Sequence, residues 1–143
     1  MARAVDVAGY NIKSTPVDQL KLQKLLFYTQ AVSLVKFGVP AFDDPIEAWD
    51  YGPVVSSIYN KYKKFCFEQI TKPVGDIEAL DTQTITSIDL MLGYYGKMTG
   101  PALINETHSE DPWRKAYAKG QNTVISQKSM RDYYKKIFHF SDD

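Results

Sequence analysis

The residues best equipped for chemistry sit in one short stretch: Glu106, His108, Ser109, Glu110 and Asp111. An imidazole beside carboxylates is the material of acid–base catalysis or of a metal site. The spacing supports neither. A helical zinc motif needs two histidines one turn apart, as in His-Glu-x-x-His, and here one histidine stands among scattered carboxylates. The second histidine, His139, falls in a different element near the C-terminus. His108, Ser109 and Asp111 adjoin in the chain, but nucleophile–base–acid sets are assembled in space, so that adjacency carries little. Gly93, Gly96 and Gly100 make no phosphate-cradling loop, because no strand precedes them and their spacing fits neither Gly-rich motif. The lone cysteine, Cys66, has no internal disulfide partner and reads as a small buried apolar residue. No catalytic residue, metal or cofactor is therefore expected. A His108-centred enzyme working with Asp111 or Glu110 stands as the alternative of a different class.

A second concentration of unusual residues is Ile46-Glu47-Ala48-Trp49-Asp50-Tyr51-Gly52-Pro53-Val54-Val55. Trp49 and Tyr51 would project the same way from an extended segment. Gly52 permits φ > 0, and Pro53, with its fixed φ and missing N–H, suits the first position of a helix. A third feature is the basic run Arg114, Lys115, Lys119, Lys128, Arg131, Lys135 and Lys136, with Asp132 as its only acid. It could meet nucleic acid or an acidic partner, although a solvated helix face is the simpler reading.

These features need elements to hold them. Residues 1–14 read as a lead-in, packed through Val5, Val7 and Tyr10. Thr15-Pro16-Val17-Asp18 reads as a helix start with Thr15 as cap and Pro16 at the first position. Leu20, Leu22, Leu25, Leu26, Phe27, Ala31, Leu34 and Val35 then cover more than half of the helix circumference, which predicts a spine packed on several sides. Gly38 and Pro40 end it. A further helix is expected from Pro53 through Phe65, then a long loop to Asp81. Asp81 or Thr82 opens the next helix, Thr99-Gly100-Pro101 a short one, and Asp111-Pro112-Trp113 another with Asp111 as cap. Ser126 caps a last helix, in which Met130, Tyr133, Tyr134, Ile137 and Phe138 follow an amphipathic spacing. Ile46–Trp49 and Thr123–Ile125 are left as candidates for at most a two-stranded pairing. The expectation is a mainly α, compact bundle of about six helices forming one domain over 1–143, with a tail at 141–143.

Composition narrows the function classes. Hydrophobic residues at 44% and charged residues at 24% are those of an ordinary globular chain long enough, at 143 residues, to bury a core. Seventeen basic and 17 acidic residues cancel, which argues against nucleic acid as the main partner. No apolar run is long enough to span a membrane and no signal peptide is legible in Met1–Ile12, so a cytoplasmic location is expected. Ten tyrosines raise the aromatic content to 13%, and tyrosine is enriched at protein interfaces.

Three stretches taken together resemble one family. Lys21-Leu22-Gln23-Lys24-Leu25-Leu26-Phe27-Tyr28-Thr29-Gln30 is similar to the KLQKLLYYAQ-like helix signature of the Panacea domain, also called the SocA-like antitoxin domain. Pro45–Val55 resembles its P-I-E-A-W-x-Y-G-P-V-V element, and Thr107–Ala116 its T-H-x-x-D-P-W-x-x-A element. The resemblance implies an antitoxin of a bacterial or prophage toxin–antitoxin pair that neutralises a cognate protein toxin by direct binding. The founding type delivers its toxin to a protease, so a host protease is a second implied partner. Some relatives are described as phage-associated, which makes an effector of a host protein or nucleic acid the alternative. Many members carry an added DNA-binding module; autoregulation through such a module of its own is not expected of this chain. Under this reading Trp49, Tyr51, His108 and Trp113 are the candidate partner contacts, and Gly52, Pro53, Asp111 and Pro112 are structural motif residues. The competing reading of the aromatics is purely architectural: they lock two helix starts together, with His108 hydrogen-bonded in a turn.

Overall fold

A computed structural model describes residues 2–65 and 68–140. Cys66 and the tail Ser141–Asp143 lie outside the described residues.

The spine is helix α2 (Gln19–Lys36). Asp18 caps it by accepting a hydrogen bond from the Lys21 amide at 2.8 Å. Leu22, Leu25, Leu26, Phe27, Ala31 and Val32 are buried on it, each apolar side chain of Leu size contributing about 1.5–3 kcal/mol by leaving water. Its neighbours enclose it from several directions. They are α1 (Ala4–Ser14), α4 (Thr82–Tyr95), α5 (Gly100–His108) and α7 (Gln127–Tyr134). A helix surrounded in this way also buries its polar residues, and Gln19, Gln23, Lys24, Thr29, Gln30 and Ser33 are all buried. Each needs a partner. Gln30, for example, accepts from the Ala41 amide and donates to the Phe42 carbonyl, both at 2.8 Å, and so holds the loop after α2.

Across the first half of α2 lies a three-stranded antiparallel sheet in the order β2-β1-β3. Its strands are β1 (Glu47–Trp49), β2 (Gly52–Val54) and β3 (Thr123–Val124). Trp49 pairs with Gly52, Glu47 with Val54 and, on the other side, Glu47 with Val124. Asp50 and Tyr51 make the turn, which the chain leaves through Gly52 at φ +112, a left-handed value open to glycine. Helix α3 (Ser56–Tyr62) follows β2, and α6 (Asp111–Ala118) packs on β1.

The molecule is mainly α, as expected, and several boundaries differ. Residues 1–14 are no lead-in: Ala4–Ser14 is a helix whose Ala4, Val5, Val7 and Ala8 are buried. No side chain caps its start, so the sequence offered no signal for it. With α1 the described residues hold seven α-helices rather than about six. Thr15 ends α1 and Asp18, not Thr15, caps α2. Pro53 does not begin a helix. It sits in β2, the edge strand, where its missing N–H leaves no central ladder bond unmade, and α3 starts at Ser56. The sheet has three strands instead of two because Gly52–Val54 folds back on Glu47–Trp49; the pairing of Ile46–Trp49 with Thr123–Ile125 is present as expected. Glu110, not Asp111, is the N-cap of α6, with Asp111 and Pro112 inside the first turn. The loop before Asp81 is pinned at three points between Ile70 and Asp76. The Ile70 amide donates to the Val17 carbonyl, the Val74 amide to the Tyr62 hydroxyl, and the Asp76 amide to Asp6.

Candidate functional site

A cleft of about 540 Å³ opens between the first half of α2, the β1–β2 hairpin, α3 and the turn before β3. Gln19, Gln23 and Lys24 form its floor, Trp49, Tyr51 and Val54 one wall, and Tyr59, Lys63 and Gln121 the others. Gln19 and Gln23 are neighbours because positions four apart on α2 share a face, and Lys24 follows Gln23 in the chain.

Lys24 is 1% exposed. The glycine at residue 52 leaves room for it in this position: a Cβ there would lie 2.6 Å from Lys24 Cε. The ammonium donates to the Pro53 carbonyl at 3.2 Å. None of the ion pairs among the described residues includes Lys24. Burial therefore dominates and pulls its pKa down to about 7, against a weaker upward pull from Asp18.

The two glutamines beside it are tied to each other and to the main chain. Gln23 accepts from the Val55 amide at 2.8 Å and donates to Gln19 at 3.0 Å, and Gln19 donates to the Tyr59 carbonyl at 3.2 Å. This amide chain fastens the start of α3 to α2. Trp49 is half-buried, meets Tyr59 edge-on at 5.1 Å, and donates its indole N–H to Glu47 at 2.9 Å. Tyr51 stands at the lip of the cleft, 69% exposed.

Behind the hairpin runs a three-ring stack. His108 lies on Trp113 at 4.0 Å and Trp113 on Tyr117 at 4.7 Å, both nearly parallel. Trp113 donates its indole N–H to the Trp49 carbonyl at 2.8 Å, tying α6 to β1. The Tyr117 hydroxyl and the Gln121 amide both donate to the Asp50 carboxylate, which these bonds hold below the usual carboxylate range. Burial, and next the nearby Lys24 charge, push the His108 pKa down. Its Nε2 is buried with no hydrogen-bond partner among the described residues. Asp111 pairs with Arg114 and Lys115.

Glu110 closes the third junction. It is 4% exposed, and its Oε1 accepts from the hydroxyls of Tyr28 at 2.6 Å and Tyr134 at 2.7 Å. Burial raises its pKa, and the two hydroxyl bonds act in the opposite direction.

Of the four residues singled out in the sequence, Trp49 and Tyr51 line the cleft, while His108 and Trp113 brace the hairpin from behind. The strand ends at Trp49, so the two cleft aromatics reach the same opening from a turn rather than from one extended segment. Gly52 and Pro53 shape the Lys24 chamber, and Asp111 and Pro112 occupy the first turn of α6. The seven residues of the C-terminal basic run are all exposed. Sequence reasoning missed the roles of Lys24, Gln23 and Tyr59, and it placed Glu110 beside His108 rather than between two tyrosines. A signal existed for the first two: a helix expected to be packed on several sides must bury some of its polar residues. For Glu110 there was none, since its tyrosine partners are distant in the chain.

Among the described residues no group of three or more His, Cys, Asp or Glu is placed to hold a metal, and no helix is long and apolar enough to cross a membrane. No curated protein and no solved structure matches the chain. The model of the SocA-like antitoxin family, the Panacea domain, matches residues 22–114. That span contains the Lys24 floor, the hairpin and the His108–Trp113 stack, and runs through nearly two-thirds of the sequence. The chain belongs to the SocA-like antitoxin, Panacea domain family.

Proposed function

We propose that this protein is the antitoxin of a bacterial or prophage toxin–antitoxin pair, that it acts in the cytoplasm, and that it neutralises its cognate protein toxin by direct binding rather than by catalysis. The observation that carries this reading is the family match over residues 22–114. The cleft supports it as the contact region. Trp49, Tyr51 and Tyr59 offer aromatic faces beside a concave floor, the residue types and shape that concentrate binding energy in protein interfaces. A host protease is a further partner under this proposal, with the antitoxin presenting the bound toxin to it. The arrangement of His108 lends no support to an enzyme. Its ring lies flat on Trp113, and the nearby carboxylates are engaged elsewhere, Asp111 by Arg114 and Lys115, Glu110 by two tyrosines.

Co-expression with the product of the neighbouring gene tests the proposal. The neighbour alone is expected to arrest growth, and the pair to restore growth and co-purify. If no neighbouring product is toxic or is bound, the antitoxin reading is wrong for this protein.

A further inference from the structure

We infer that the cleft receives an acidic side chain, an Asp or Glu of the toxin flanked by an apolar or aromatic residue, with its carboxylate seated on the Lys24 ammonium. The inference rests on the antitoxin reading and says what feature of the toxin is recognised.

Lys24 has three N–H donors and the Pro53 carbonyl takes one of them. A buried ammonium left in that condition is costly, and an apolar residue of similar size would fill the same space more stably. The polar groups closest to Lys24 on the floor and hairpin have partners. Gln19 and Gln23 serve each other and the main chain, Asp50 is held by Tyr117 and Gln121, and the Trp49 N–H by Glu47. Gln19 and Gln23 each keep a second amide N–H, but the charged donor at the floor is Lys24, and Lys63 adds a second positive charge to the wall. Such a site fits an anion. Two spare N–H groups on one ammonium match a carboxylate; a phosphate would bring more charge and acceptors than a site without an arginine fork or a nest of main-chain N–H groups can meet. Trp49, Tyr51 and Tyr59 supply apolar surface for the residue beside the acid.

Binding should be coupled to protonation. The charged and titratable groups around Lys24 are Asp18 at the start of α2, Asp50 and Tyr51 in the hairpin turn, Tyr59 on α3, Lys63 beyond it and His108 on α5. His108, pushed below its ordinary value, changes charge at lower pH than Lys24. A carboxylate stabilises the charged form of Lys24, so above pH 7 its arrival takes up a proton, and affinity should fall by up to about ten-fold per pH unit.

The test is an NMR titration of the full chain with the peptide Phe-Glu-Phe, acetylated and amidated so that the side chain is its sole carboxylate, against Phe-Gln-Phe capped alike. The Glu peptide should shift the Trp49 and Tyr51 signals and bind at least about ten-fold more tightly near pH 6.5, a preference lost near pH 9 and lost in Lys24→Met. A melting curve confirms that Lys24→Met is folded. Tyr51→Ala, on the exposed lip, should weaken both peptides and leave their ratio intact. Equal affinity for the two peptides, a Glu preference that survives Lys24→Met, or one centred away from Trp49 would overturn the inference. The antitoxin reading fails separately. A toxin bound equally well by wild type and Lys24→Met sinks the carboxylate site alone, whereas absence of any bound toxin sinks the antitoxin reading.

Discussion

Glu110 and Lys24 are both withdrawn from solvent, and the fold treats them in opposite ways. Glu110 stands at the N-cap position of α6 while two tyrosine hydroxyls close on one of its oxygens, and Tyr28, one of the two, is itself stacked on Tyr95 at 3.9 Å. The group is enclosed by its own chain. Lys24 is at least as deeply buried, yet it has a single carbonyl for a partner and lies at the floor of an open cleft. Burial is common to both. What separates scaffold from site is how far the protein itself supplies partners, two hydroxyls at Glu110 against one carbonyl at Lys24, because a buried polar group left mostly unmatched is expensive to keep.

The contrast can be broken most decisively at Glu110. Glu110→Ala removes the acceptor of two buried hydroxyls and should cost about 3 kcal/mol, with Glu110→Gln, which keeps an acceptor oxygen, costing about 1 kcal/mol. Chemical denaturation measures both. A loss below about 1 kcal/mol for the alanine variant would mean that the junction is not structural in the sense argued.

Lys24→Met should move stability the other way, upward by on the order of 1–4 kcal/mol at neutral pH, since it removes a buried charge while keeping the volume. The pH dependence sharpens the comparison. The folded-state value of Lys24 is about 7 against an ordinary 10.5. Between those values the unfolded chain binds the proton and the folded chain does not, so wild-type stability should rise with pH through that window. Lys24→Met should lose that rise. Glu110 has the opposite sign: its raised pKa means the folded chain holds the proton longer, so its contribution falls as pH climbs above the ordinary carboxylate range, and Glu110→Gln should remove that fall. Melting curves across pH for the two variants read both slopes.

The smallest effects lie on the two sides of the hairpin. Trp113→Phe keeps a ring in the stack and loses the bond to the Trp49 carbonyl, which should cost about 1 kcal/mol. Tyr51→Ala should change stability by no more than about 0.5 kcal/mol, because the side chain is exposed, while weakening toxin binding. If Tyr51→Ala proved the more destabilising of the two, the division between a bracing face and a contact face would be wrong.

Much of the fold was legible because its signals are local. The caps Asp81, Thr99 and Ser126 act on amides in their own first turns, and each starts a helix where expected. The apolar surface of α2 announced a helix enclosed by others. Helix α1 was not legible, since its start carries no capping side chain and its apolar residues acquire meaning only against α2. Gly52-Pro53 misled for a different reason. A proline fits the first turn of a helix and an edge strand equally well, and local chemistry does not choose between them.

By itself, then, the sequence determined a helical domain built around one enclosed helix, together with the three motifs that mark its family. Tertiary structure alone decided what those motifs do to one another. Gln23 reaches Val55, Lys24 reaches Pro53, Tyr28 reaches Glu110 and Trp113 reaches Trp49. Every one of these bonds joins segments far apart in the chain. Whether such a group is closed over by its own chain, as Glu110 is by two tyrosines, or left open toward a cleft, as at Lys24, depends on which distant groups the packing brings within reach.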